Sequence, residues 1–355
     1  MGFGSPTIPG TGGFYARSAT RTVAASNSID KINVDYVCDG VDDQVEINAA
    51  ITALGATGGT VMLLEGQYNI TGSINLATLT TLMGQGAGTV LRVPNGFNAN
   101  LNVISAVSIN RVIVADLRID GNRANQAAGI MNGIYFNTVT YSTIARCWVE
   151  NLRNDGIILV TSSNNTVAGN TYQSNGRRGI YLNISSNNNT ITGNNCQSNV
   201  FEGILLSTSS NNNTITGNTY QSNGRRGIYI WNSNNNTITG NTCQGNGFSG
   251  IYLSTSSNNT VTGNTVVGTS QDTDNTYDGI SATINSDYNN IQGNTVRHAG
   301  GANQHRYGIR INAADCDGNL VIDNDLYLAG RTLDYSDAGT GTIYHNNRTT
   351  LGWVP

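Results

Sequence analysis

Charge is the first thing this chain lacks. Asp, Glu, Lys and Arg together make up 11% of its 355 residues, and Lys31 is the only lysine. The net charge of −4 leaves no basic footprint for nucleic acid. Cysteine is sparse and odd in number: Cys38, Cys147, Cys196, Cys243 and Cys316 are widely spaced, which excludes a disulfide framework and a zinc signature. Cys196 and Cys243 share one slot two repeats apart. At roughly 4.8 Å per stacked strand their Cα atoms are about 10 Å apart, too far to bridge, so buried free thiols are expected. No apolar run is long enough to span a membrane. The start, Met1 to Pro6, has neither a basic nor an apolar leader region, so no secretory signal is expected. High polarity with low charge suggests disorder, but regularly placed Ile, Val and Leu argue against it.

What the chain has is a period. Gly-Ile recurs at Gly156, Gly179, Gly203, Gly227, Gly250, Gly279 and Gly308, with gaps of 23, 24, 24, 23, 29 and 29 residues. Between them, Asn189 to Asn194 reads Asn-Thr-Ile-Thr-Gly-Asn and returns at Asn213, at Asn236 and, with Val261, at Asn259. A fixed period of this size means stacked units that share one core. The units read as short strands. Alternation puts Ile180 and Leu182 inward with Tyr181 outward, and Ile191 inward between two outward threonines. Asn and Gly suit the turns because both tolerate left-handed backbone. The in-register Asn165, Asn189, Asn213, Asn236 and Asn259 are expected to bond from rung to rung.

The flanks differ. Residues 1–30 are rich in Gly, Ser, Thr and Pro without a period and read as an extended arm that attaches to another protein. Residues 31–75 read as a capping helix and first coil. Asp43 to Glu46 form a capping-box pattern, and Ile47, Ala50, Ile51 and Leu54 follow at helical spacing. Residues 76–355 read as the repeating body, clearest at 133–324.

The phrase Asp35 to Ile51, followed by Gly58-Gly59-Thr60-Val61 and Glu65-Gly66-Gln67-Tyr68, together with the Asn-Asn-Thr-Ile-Thr-Gly-Asn and Gly-Ile-Tyr-Leu repeats, resembles the right-handed parallel β-helices of the pectin-lyase-like superfamily, phage tailspikes among them. The resemblance covers roughly residues 34–350. It implies an all-β, single-stranded parallel β-helix with a short N-terminal helix. It does not select among lyases, hydrolases, epimerases, adhesins and spikes.

Aligning the repeats on Gly-Ile exposes outward columns. One carries Tyr181, Tyr229 and Tyr252, with Trp231 in the next. Such aromatic faces suit sugar rings, and equally a subunit contact. The column before Gly reads Asp155, Arg178, Glu202, Arg226, alternating in sign. The column before that interleaves Arg177 and Arg225 with Phe201 and Phe248, as cation–π stacking requires. Tyr181, Tyr229, Trp231, Tyr252, Arg178, Glu202 and Arg226 are therefore the candidate ligand-binding residues, against the plain alternative of pairing between similar rungs.

The two 29-residue gaps mark inserted loops. The first holds Asp272, Asp274 and Asp278; the second rung holds Arg297, His298, His305 and Arg306. Asp272, Asp274, Asp278, His298 and His305 are the candidate catalytic residues, as acids and bases on a glycosidic bond. The acidic loop is also the place for a calcium ion, although no cofactor is otherwise indicated. Asp120 and Glu150 stand as isolated carboxylates. A Thr-x-Thr ladder, from Thr190 and Thr192 to Thr260 and Thr262, resembles ice-binding solenoids, and also follows from the preference of strands for β-branched residues.

The leading expectation is a non-enzymatic, virion- or cell-surface shaft, trimeric by analogy, that presents a glycan- or partner-binding face and inserts in no membrane. The alternative is a polysaccharide lyase or hydrolase acting through the loop acids.

Overall fold

The computed structural model describes residues 19–300 and 303–354. The expected alternation is observed: Ile180, Leu182 and Ile191 are fully buried while Tyr181, Thr190 and Thr192 stay half-buried. Each turn of chain lays down three short strands, one in each of three parallel sheets. In one turn these are Thr190–Thr192 in sheet 1, Asn195–Gln197 in sheet 2 and Ile204–Ser207 in sheet 3. Sheet 1 has 14 strands, sheet 2 has 10 and sheet 3 has 11. The next turn pairs in register, Ile191 on Ile215, Cys196 on Tyr220 and Ile204 on Ile228. The result is a right-handed parallel β-helix around one apolar column.

Three asparagine spines hold the corners. At the corner from sheet 1 to sheet 2, Asn218 Oδ1 accepts the backbone N–H of Asn194 at 2.8 Å and its side-chain N–H at 3.0 Å. Asn218 Nδ2 donates onward to Asn241 Oδ1 at 3.0 Å and to the carbonyls of Ile191 and Thr216. Asn189, Asn213, Asn236 and Asn259 do the same at the corner into sheet 1, and Asn175, Asn199, Asn223 and Asn246 at the corner into sheet 3. Buried turns must pair their backbone polar groups, and a side chain carrying both donor and acceptor lets identical residues bond to each other indefinitely. The neighbouring turn residues Asn188, Asn212, Asn235 and Asn258 take φ of +56 to +57°, the left-handed conformation expected of Asn.

The recurrent Gly before Ile is a packing requirement. A Cβ on Gly203 would sit 2.5 Å from Tyr220 Cδ1, and one on Gly179 would sit 3.0 Å from Cys196 Sγ. Tyr172, Cys196, Tyr220 and Cys243 alternate along this inner slot, all fully buried. All five cysteines are free and buried.

The N-terminal end is closed by helix α1, Gln44–Thr52, which buries Gln44, Ile47, Ala50 and Ile51. The capping box does not form. Asp43 makes no side-chain cap bond to the helix; its carboxylate accepts the N–H of Gly40 and of Asn69, tying the helix start to the first coil. Part of the stretch read as an arm is also not free. Ala19–Ala24 form a strand of sheet 1 between Tyr36–Val37 and Gly59–Leu63, with Val23 beside Leu63. Only Val23, Ala24 and Ala25 are buried there, with Val23 and Ala25 in the core, too few to register as a periodic strand. Residues 1–18 of that arm lie outside the described residues.

The Thr-x-Thr ladder stands in register on sheet 1 over four rungs. It is bounded by Ala168 on one side and by Asn290 and Gln292 on the other.

Candidate functional site, a saddle at the corner between sheets 2 and 3

Loop length varies mainly at this corner. Five consecutive turns (151–156, 174–179, 198–203, 222–227 and 245–250) are compact, six residues each. On one side they are flanked by longer connections at 93–100 and 121–130, and on the other by 268–279 and 298–306. Both flanks fold onto the outermost compact turns. Arg153 donates to the carbonyls of Gln126 at 2.6 Å and Gly129 at 3.1 Å. At the far end Ser270, Gln271 and Asp272 donate backbone N–H groups to Phe248, Asn246 and Gly247, and Tyr277 stacks on Phe248 with centroids 4.1 Å apart. The result is a saddle about 19 Å long at ~4.8 Å per rung.

Its floor carries the two charged columns. Arg178 lies 3.6 Å from Asp155 and 3.3 Å from Glu202, and Glu202 lies 3.6 Å from Arg226 and 4.0 Å from Arg225. The Glu202 side chain is only 3% exposed and that of Arg178 11%. These are ion pairs without full hydrogen bonding: Arg178 Nε and Nη1, Glu202 Oε2 and Arg226 Nε are buried without a hydrogen-bond partner. Burial pushes the Asp155 carboxyl up, and Arg178 pulls it back down.

The aromatic stripe is not a bare face. Tyr181, Tyr229 and Tyr252 are half-buried and Leu205 is buried. The Arg178 guanidinium lies 4.3 Å over Tyr181, and that of Arg226 lies 4.5 Å over Tyr229 and 4.3 Å over Tyr252. Tyr181 accepts from Ser207 and Tyr252 from Thr283. Trp231 is 46% exposed at the edge of the stripe. Above them, Arg177 and Arg225 flank the Phe201 ring at 5.6 and 4.0 Å. The surface is an aromatic bed under guanidiniums, with four arginines (177, 178, 225 and 226) against the two carboxylates Asp155 and Glu202.

The inserted loops bring the acids to arginines. Asp278 is buried and receives both Nε and Nη2 of Arg306 at 3.1 Å, with Arg310 at 3.9 Å. Burial raises its pKa, opposed by Arg306. Asp274 pairs with Arg331, while Asp272 is exposed. His298 is partly exposed. His305 is fully buried, with Nδ1 3.2 Å from Thr269 Oγ1. Burial and the nearby His298 lower its pKa to about 4. The loops thus place Asp274 and Asp278 in ion pairs and enclose one imidazole.

His305 gives a pH signature. Its folded pKa of about 4 lies below the ordinary 6.5, so between those values the unfolded chain binds the extra proton. The stability it contributes is complete above pH 6.5 and lost as pH falls through 4, up to about 3 kcal/mol. Urea titrations from pH 7 to 4 should show falling stability in the wild type and a shallower fall in His305→Gln; equal slopes would remove His305 as the cause.

Soft metals such as copper take thiolate, thioether or imidazole donors. Among the described residues, three ligating side chains converge at Cys38, Asp43 and Glu46, and no such group includes a histidine. That group offers one buried thiol beside two carboxylates, whose hard oxygens suit Mg, Ca or Mn rather than copper. Both Asp43 oxygens already accept backbone N–H groups. The donors present do not fit copper.

Sequence reasoning missed a second cluster on sheet 2. Asp120 and Glu150, isolated in the sequence, are register partners on adjacent rungs, and Arg118 and Trp148 pair beside them. They precede the regular repeats, so alignment on Gly-Ile does not bring them together.

The fold recurs in solved structures of low sequence identity. The A-module of the Azotobacter vinelandii mannuronan C-5 epimerase AlgE4 superposes with a TM-score of 0.65 at 21% identity, over 86% of this chain and 93% of that one. The enzymatically active domain of tailspike protein 2 from bacteriophage CBA120 gives 0.68 at 17% identity, over 90% of this chain and 52% of that one. The Dettilon tailspike protein gives 0.59 at 18%, over 84% and 66%. No curated protein sequence matches the chain. The profile of one family, described as periplasmic copper-binding protein (NosD), matches residues 25–273 and 198–348, and the chain belongs to that family.

Proposed function

We propose that this protein is a non-enzymatic β-helical shaft at a virion or cell surface, and that the saddle binds an anionic polysaccharide. The observation that carries the reading is the saddle floor: four guanidiniums against two carboxylates, laid over tyrosine and phenylalanine rings, in a chain whose net charge is −4. Guanidinium groups recognise carboxylates and sulfates through paired N–H donors, and aromatic faces take the apolar faces of sugar rings. The flanking loops set the length of the bound stretch. The insertion acids Asp274 and Asp278 already hold arginines, so the proposal places no catalysis there. Copper, named in the family description, finds no fitting donor set and has no part in it. Trimeric assembly and attachment through the part of the N-terminal arm ahead of Ala19 belong to the same reading.

The test is binding of a polyuronate against a neutral dextran by calorimetry. Binding should be specific to the polyanion and should weaken with salt. Removing the two half-buried guanidiniums of the upper column in Arg177→Ala/Arg225→Ala should cost about 1.5 kcal/mol each, roughly tenfold in affinity per residue. Equal affinity for both polymers, or an unaffected double variant, would sink the reading. Sedimentation should give three times the 37.5 kDa chain mass.

A further inference from the structure

A second group of side chains lies on the outer face of sheet 2, in the first rung of the saddle and the rung before it. Trp148 is 40% exposed there. Two residues along the same strand is Glu150, and one rung below is Asp120. Sheet geometry spaces Trp148 and Glu150 by about 7 Å along the strand and Glu150 and Asp120 by about 5 Å across it. The loop that follows Asp120 folds beside them and closes a cavity of about 320 Å³ lined by Asp120, Asn122, Arg123, Ala124 and Asn151.

The hydrogen bonding of the two carboxylates is one-sided. Arg118 donates through Nε and Nη2 to Glu150 Oε1 alone. Asp120 Oδ1 takes the N–H of Asn122 at 2.9 Å and of Asn151 Nδ2 at 3.2 Å, while Oδ2 has only the Arg92 guanidinium at 3.9 Å. One oxygen of each acid, Glu150 Oε2 and Asp120 Oδ2, therefore accepts no hydrogen bond, and the side chains keep 7% and 13% exposure. An ion-paired carboxylate with an unused oxygen is an acceptor for a hydroxyl, and two of them one rung apart match a pair of neighbouring hydroxyls. The indole beside them, with the Arg118 guanidinium 5.6 Å from its ring centroid, keeps 40% exposure and offers that open part as a flat apolar surface.

We infer that Trp148, Glu150 and Asp120 form a second carbohydrate site, which takes a neutral hexose unit: one ring face lies on the indole and two hydroxyls donate to Glu150 Oε2 and Asp120 Oδ2. Its open acceptors repel a sugar carboxylate, so its preference is opposite to that of the saddle. The site is built from residues outside the saddle's charged columns, on the adjoining outer face of sheet 2, and shares with the saddle only the 121–130 loop and Asn151 that line its cavity.

The chain has three tryptophans, so Trp231→Phe/Trp353→Phe leaves Trp148 as the only indole reporter. Titrating that protein with neutral gluco-, manno- and galacto-oligosaccharides should give a saturable change in fluorescence with at least one of them. Glu150→Gln in that background should weaken it at least tenfold, and Arg177→Ala/Arg225→Ala should leave it unchanged. Should Glu150→Gln not fold, Trp148→Ala in the otherwise wild-type chain, followed by calorimetry with the same sugar, replaces it and should abolish binding. No saturable response to any neutral sugar, a response to polyuronate alone, or full binding by Glu150→Gln or Trp148→Ala would each overturn the site. Loss of polyuronate binding in Arg177→Ala/Arg225→Ala with neutral binding intact would support two separate sites.

Discussion

Replacing Glu202 with Gln should destabilise the protein by about 3–5 kcal/mol, the usual cost of removing one partner from a buried ion pair. Glu202 is the only anion between Arg178 and Arg226, and the amide is nearly isosteric, so shape is kept while Arg226 loses its counter-charge and Arg178 is left with Asp155 alone. The expected result is a lower urea midpoint with an unchanged slope. Adding Arg178→Met and Arg226→Met should recover most of the loss, because a well-packed apolar set often equals a buried ion pair. A loss below about 1 kcal/mol for Glu202→Gln would mean that the column behaves as a screened surface network.

Asn218→Ala should cost a similar amount, about 3–5 kcal/mol, by a different route. It leaves the backbone N–H of Asn194 and the carbonyls of Ile191 and Thr216 without their partner, and removes the donor to Asn241. Each buried polar group left unpaired costs about 1–3 kcal/mol, partly recovered by water reaching the corner. Neighbouring rungs stabilise each other in such solenoids, so the damage should be local. Hydrogen exchange should show lost protection at the amide of Asn194 and its neighbours, with distant rungs unaffected. Uniform loss along the whole shaft would contradict the nearest-neighbour picture.

These two residues also show what could be read from the sequence. The period alone placed Glu202 between two arginines and Asn213 in a spine, because a parallel helix stacks residues one repeat apart; the second spine, through Asn218, was not read from it. The period could not show that both charged columns lie under compact turns between two pairs of longer loops, since that depends on how Arg153 and residues 270–272 fold back. Nor did it join Asp120 to Glu150, which are 30 residues apart where the regular repeat is 23 or 24. The strand at Ala19–Ala24 was hidden for another reason: it inserts out of chain order between two later strands. The burial of His305 is a further feature that spacing does not report.

The inner slot and the charged column share a parity. Tyr172, Cys196, Tyr220 and Cys243 alternate large and small, and Asp155, Arg178, Glu202 and Arg226 alternate in sign, whereas the asparagine spines are identical at every rung. Removing one rung would leave the spines intact but set like charges face to face and large cores on large. Removing two would restore every contact. The heritable unit by which this shaft lengthens or shortens is therefore a pair of turns, and natural length variants should differ by even numbers of rungs across this region.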